Sequence, residues 1–286
     1  MRLINTSSKM LTSFEAGRFD IEKWNNYIDD VIPGVRQICT DDMQECIEAG
    51  FSWQKDFLPI LDNVFLNHEI RNRTILEFCN ITENLEERIM EVFHKDVEAD
   101  IVLYLGLCNG AGWAVEILDR QVVLLGIEKI MELGWFEKEK MTALILHELG
   151  HIYHKQHGLW DERSYSLPEQ FLWQLFTEGI AMVFEQEIVG NPEFYQQDAN
   201  GWKQWCDSNF ELIRDSFNRD IYIMDHKNQR YFGDWTRFEG YGDTGYYLGT
   251  RFVRYLMKNE TFDNLILFDI EKIKEGFSRF MADSRL

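Results

Sequence analysis

The chain has 286 residues, 45% hydrophobic and 27% charged, which is enough apolar material for one large packed domain or two modest ones. A formal net charge of −20 argues against nucleic acid or an anionic membrane as partner. With four prolines, no low-complexity tract and no internal repeat, neither disordered linkers nor a repeat array is indicated, and no run reaches the roughly eighteen apolar residues of a membrane span. The opening residues Met1 to Met10 lack the uninterrupted apolar core of a secretory signal. Cys39, Cys46, Cys79, Cys108 and Cys206 are odd in number and lack metal-ligand spacing, so reduced thiols in a cytoplasm are the expectation.

Residues 1 to about 98 read as helical throughout. Ile21, Trp24, Tyr27, Ile28 and Val31 follow a helical period that Pro33-Gly34 breaks. Further helices are expected over Asp41 to Ala49, Lys55 to Phe65, Ile70 to Cys79 and Leu85 to Phe93. No chemical motif lies in this part. Three strands follow, from Ile101 to Leu107, from Gly112 to Ile117 and from Gln121 to Gly126, with turn residues Cys108 to Gly112 between the first two.

The segment Thr142 to Tyr153 places His147, Glu148 and His151 in an apolar helical run that begins near Glu137. Met141, Leu144, Ile145, Leu149 and Ile152 recur at spacings of three and four, as a core-facing helix requires. Residues four apart lie one turn above each other on a helix, so the two imidazoles can hold one zinc ion, and Glu148 can reach a water on it. Gly150 is a poor helix former there and admits a close approach by another backbone or a substrate. His154 and His157 continue the run but point away from the metal, and are read as groups behind the ligands or at the surface. Gly158 is the expected helix stop.

A third protein ligand is needed, and Glu178 is the best candidate. It lies in an apolar helical run with Phe171, Leu172, Leu175, Phe176, Ile180 and Val183, where a carboxylate is costly to bury without a cationic partner. Glu185, seven residues on, shares that helical face, either orienting a ligand histidine or as a solvated acid. Asp161, Glu162 and Glu169 are fallback ligands in the long segment between His151 and Glu178. Residues 190 to 235 read as helices and a loop near the substrate. Gly240 to Gly249 then form a glycine-rich approach to an amphipathic helix, and residues 262 to 280 a terminal helical region.

His147-Glu148-x-x-His151 with the downstream Thr177-Glu178-Gly179-Ile180-Ala181 and Glu185 resembles the gluzincin zinc metallopeptidases, closest to a bacterial family of predicted zinc-dependent proteases. The resemblance covers roughly residues 100 to 260. It implies one zinc per chain on His147, His151 and Glu178, with Glu148 as general base. Gly245-Tyr246-Tyr247-Leu248-Gly249 resembles the Gly-Tyr-x-x-Gly motif of related families. That likeness makes Tyr246 the oxyanion donor, with Tyr247 the alternative. Arg251 is a partner for Glu178, Glu185 or a substrate carboxylate, or else a surface charge. Folds of this kind carry a small sheet with an edge strand over the cleft, and Gly110 to Glu116 is taken as that rail for an extended peptide.

The resulting expectation is an α+β, mostly helical protein. A helical region over 1–98 precedes a zincin-like domain over 99–286, in which a small antiparallel sheet covers the helix bearing the two histidines. Its function is zinc-dependent hydrolysis of a peptide or protein substrate. The alternative is a catalytically silent zinc-binding module that holds a peptide or protein partner in the same cleft.

Overall fold

The computed structural model describes residues 1–160, 165–233 and 236–284. Its elements run β1 (Arg2–Asn5), α1 (Ser7–Met10), β2 (Phe14–Glu15), β3 (Arg18–Phe19), α2 (Ile21–Val31), α3 (Val35–Glu48), α4 (Leu58–Leu66), α5 (His68–Ile81) and α6 (Leu85–Phe93). Then come β4 (Asp100–Tyr104), β5 (Gly112–Ile117), β6 (Arg120–Gly126), α7 (Ile127–Leu133) and α8 (Lys138–His157). The chain continues with α9 (Leu167–Val189), α10 (Trp202–Ser208), α11 (Phe210–Asp220), α12 (Thr244–Leu256), α13 (Phe262–Leu265) and α14 (Ile270–Ala282). The protein is α+β and mostly helical with a small sheet. Among the described residues no helix is long and apolar enough to cross a membrane.

The chain divides into two compact units, Met1–Leu149 and Gly150–Leu286. The boundary drawn at residue 98 from the sequence falls inside the first of them. Helix α8 is continuous from Lys138 to His157 and so runs through the point of division.

In the first unit a four-stranded sheet has the order β1-β4-β6-β5, and β2 and β3 form a separate two-stranded pair. The four-stranded sheet is mixed, which corrects the antiparallel sheet expected: β1 pairs with β4 and β4 with β6 in parallel, and only β5 with β6 is antiparallel. The N-terminal region is therefore not all helical, since Arg2 to Asn5 form a sheet strand. The central strand β4 is buried along its whole length, as a strand covered on both faces must be, and reads as a continuous apolar run after Asp100. Strands β5 and β6 form a hairpin. Ile117 faces Arg120 across a two-residue loop, and Leu118 and Asp119 both take positive φ (50° and 60°), the geometry that matches strand twist. Cys108 to Gly112 thus link two strands that flank β6 and do not pair with each other.

Asp20 caps α2 by accepting from the Lys23 backbone N–H at 2.9 Å, and the helix buries Trp24, Tyr27 and Ile28. Gly34, at φ 95°, starts α3 six residues before the expected Asp41, because Val35 and Cys39 bury a first turn that Arg36, Gln37 and Thr40 disguise as polar. Asp100 anchors the first strand: its carboxylate binds Arg2, and also Arg120 at 2.6 and 2.8 Å.

In the second unit α9 is the central element. A reciprocal capping box between Ser166 and Glu169 starts it, Pro168 sits in its first turn, and Gly190 at φ 76° ends it. Its middle is buried on nearly every side, from Leu175 to Gln186. Helix α12 packs on it so tightly that a Cβ on Gly179 would lie 2.3 Å from the Gly249 carbonyl oxygen.

Candidate metal site

Helix α8 presents its apolar stripe inward: Met141, Leu144, Ile145, Leu149 and Ile152 are all buried. His147 and Glu148 are buried as well, and the His151 side chain keeps 16% exposure. The regular helix sets the two histidines one turn apart, as the sequence spacing requires.

Glu178 reaches His151 because α9 crosses α8 at a glycine. A Cβ on Gly150 would stand 2.9 Å from the Ala181 Cα and 3.2 Å from the Phe184 Cβ. Gly150 precedes His151, and Ala181 lies three residues beyond Glu178 on the same face of α9. The close approach leaves His151 Nε2 and Glu178 Oε2 3.3 Å apart. His147, His151 and Glu178 each offer a ligand atom, all within 4.8 Å of one another. Atoms about 2.0–2.1 Å from a tetrahedral zinc lie about 3.3 Å from each other, so this donor set suits that ion with modest inward movement. Two imidazoles and a carboxylate are also the ligand types zinc takes in sites that keep an open position.

Glu148 stands beside these ligands in the sequence and faces the sheet. A Cβ on Gly112, the first residue of β5, would lie 2.8 Å from Glu148 Oε1 and 2.8 Å from Leu144 Cδ1. The backbone of β5, at the edge of the four-stranded sheet, therefore lies directly on the expected base. The sequence marked Gly110 to Glu116 as a rail but missed Gly112 as the residue that permits the contact. A glycine inside an apolar strand was the available signal.

The two tyrosines separate clearly. Tyr247 is buried, donates to Asp207 Oδ1 at 2.8 Å and packs among Tyr195, Trp202 and Phe210. Burial, with Asp207 alongside, pushes its phenol well above the ordinary range, so it is a core residue. Tyr246 is only partly buried at the start of α12, its ring edge-on to Phe232 at 5.8 Å. Arg251 is not a lone surface charge: its guanidinium covers the Phe210 and Tyr247 rings at 5.5 and 6.0 Å.

Glu185 is fully buried, which removes the solvated-acid reading. His154 is also fully buried, against the surface alternative. It sits among Trp160, Trp173 and Phe176, with Nε2 3.1 Å from the Ile266 carbonyl oxygen. Burial, helped by His151, lowers its pKa to about 4, so it is a neutral imidazole. His157 packs its ring on Tyr153 at 4.7 Å, and the helix ends there, where Gly158 N–H returns to the His154 carbonyl. Of the fallback ligands, Glu169 is committed to capping α9 and to Lys274 at 3.2 Å, while Asp161 and Glu162 lie outside the described residues.

Glu128 is a buried acid that escaped the sequence reading. Glu128 accepts from the backbone N–H groups of Gly106 at 2.9 Å and Cys108 at 3.1 Å, and burial raises its pKa to about 7. The signal was close to the one that identified Glu178, a carboxylate in a mainly apolar stretch, here Leu124 to Met131, although Lys129 stands beside it.

Comparison of the chain with protein-family models, with curated proteins and with solved structures returns no match. The functional reading accordingly rests on the residues themselves.

Proposed function

We propose that this chain is a zinc-dependent peptidase of the gluzincin type with a zincin-like fold, in which His147, His151 and Glu178 hold one metal ion. The observation that carries the proposal is the convergence of those three ligand atoms within 4.8 Å of one another, next to a carboxylate, Glu148, that belongs to a different surface of the same helix. When bound, zinc supplies Lewis acidity, polarising a carbonyl and acidifying a water. Glu148 accepts a proton from the attacking water and returns it to the leaving amine. The Tyr246 hydroxyl donates to the oxygen on which negative charge develops. The outward backbone N–H and C=O groups of β5 align an extended peptide over Glu148.

The test is a metal titration with a peptide-library digest. One zinc per chain, cleavage abolished by a chelator and restored by zinc, and loss of at least about 10²-fold in kcat for Glu148→Gln with zinc still bound are the expected results. Zinc bound at one per chain without any cleavage would replace this reading with that of a silent module holding a peptide or protein.

A further inference from the structure

The acid Glu128 has no place in the chemistry above, yet it is built into the approach to β5. Its side chain is 1% exposed. From the first turn of α7 it reaches back under the segment that joins β4 to β5. One carboxylate oxygen accepts from Gly106 N–H at 2.9 Å and the other from Cys108 N–H at 3.1 Å. The surroundings are shaped to this carboxylate. A Cβ on Gly106 would lie 2.6 Å from Glu128 Oε1, and one on Gly126 would lie 2.5 Å from the Gly110 carbonyl oxygen. Cys108 is held at φ 63°, a conformation an ordinary residue keeps only when its neighbours enforce it. Asn109 ties the far side of the segment to α3 through the Cys39 carbonyl and Asp42, both at 2.8 Å. Three residues after Asn109, Gly112 rests on Glu148.

We propose that Glu128 is a positioning residue: its buried carboxylate clasps the 106–108 backbone and thereby fixes the start of edge strand β5 against Glu148. The catalytic meaning of that position rests on the peptidase reading; the clasp itself does not. Two N–H donors need two acceptor oxygens. A neutral acid or an amide offers one acceptor and turns a donor toward the second N–H, so it releases half of the clasp. Burial favours the neutral form, while the two loop bonds favour the charged one. The acid therefore stands near its switching point at about pH 7. The titratable groups that face it are Tyr27 on α2, Cys39 on α3, Tyr104 on β4, Cys108 in the loop and Lys129 on α7. Burial raises the pKa of both tyrosines and both thiols, Cys39 to about 12, so none of these four changes charge near pH 7.

The experiment is backbone amide exchange on the metal-free full chain at pH 8 and pH 6, corrected for intrinsic exchange, for the wild type and Glu128→Gln. The expected result is at least tenfold faster exchange at Gly106 and Cys108 in the variant at pH 8, extending into Gly112 to Val115. The wild type should show the same acceleration at pH 6, and the variant no further pH response. With zinc restored, the variant's KM for a cleaved peptide should rise several-fold while kcat changes less than twofold. Equal exchange in the two proteins at pH 8, or a pH response that persists in Glu128→Gln, overturns the proposal. The wild-type pH comparison decides it even where the variant fails to fold. Absence of peptide cleavage by the wild type overturns the peptidase reading alone, because exchange in 106–115 still decides the clasp.

Discussion

Gly150→Ala tests how the third ligand is delivered. The added methyl would stand 2.9 Å from the Ala181 Cα, 3.2 Å from the Ala181 carbonyl oxygen and 3.2 Å from the Phe184 Cβ. Carbon atoms rest at about 3.5–4.0 Å, so α9 must recede by roughly 0.6 Å or more, and the nearest obstacle is backbone that no rotamer change can move. Alanine gains about 1 kcal/mol over glycine in helix propensity, against about 1–3 kcal/mol for forcing extra volume into a packed crossing. The steric cost therefore prevails, and the metal-free protein should lose up to about 2 kcal/mol. The larger effect is on the site. Zinc–ligand distances tolerate about ±0.2 Å, and Glu178 can recover only part of the displacement by re-extending its side chain. Zinc affinity, measured by competition with a chromophoric chelator, should fall about 10- to 100-fold, or roughly 1.4–2.7 kcal/mol. Wild-type zinc affinity in a well-folded Gly150→Ala protein would refute the argument that this crossing sets the 3.3 Å separation of His151 and Glu178.

Three further outcomes are expected. Gly112→Ala, whose methyl would overlap Glu148 Oε1 and Leu144 Cδ1, should lower kcat/KM about 10- to 100-fold with one zinc still bound, because displacing a reacting group by about 1 Å costs that much; unchanged peptide turnover would contradict the placement of β5 on the base. His154, whose folded pKa of about 4 lies below its unfolded value near 6.5, contributes stability that is complete above pH 6.5 and lost as pH falls toward 4. Urea titrations should show up to about 3 kcal/mol lost over that window, and His154→Phe, which leaves the surrounding aromatic packing apolar, should flatten the slope. Asp100→Asn should destabilise the protein by about 2 kcal/mol at neutral pH, since Arg2 and Arg120 hold this buried carboxylate well below the usual range. That contribution is present above about pH 4 and lost below it, so the variant and wild type should converge in acid when melting temperatures are compared.

Those predictions separate into features the sequence displays and features only the fold creates. His147 and His151 were legible because their relation is local: one turn of helix fixes it, and the flanking apolar residues fix the helix. Glu178 was legible for an energetic reason, an acid in a mainly apolar helical run. The bounds of α2, α6 and β5 follow from period and breakers alone. The sheet order was not legible. Strand β1 has four residues, most of them exposed, and its register is set by pairing Arg2 with Asp100, 98 residues away. The hairpin turn carries Leu118-Asp119 in place of the Asn-Gly or Asp-Gly that announces one, so the sequence shows two strands there without showing that they pair.

The glycines join the two classes. Gly112 lies on Glu148, Gly150 adjoins His151, and Gly179 adjoins Glu178, where it meets the Gly249 backbone of α12. Each of the three brings a second element to within a methyl's width of a residue in the proposed chemistry. A helix interior gains nothing locally from Gly150 or Gly179, at about 1 kcal/mol apiece relative to alanine. Their presence is explained only by what approaches them, Ala181 on one side and Gly249 on the other. The same pair of crossings places α9 against both α8 and α12, and so carries Glu178 to His151 and Tyr246 to the start of a helix anchored beside Glu178. A site assembled this way concentrates its tolerance in a few backbone contacts. Substitutions that add one carbon at Gly112, Gly150 or Gly179 should therefore impair function more than removal of whole surface side chains on α10 or α14, although none of the three glycines carries a reactive group.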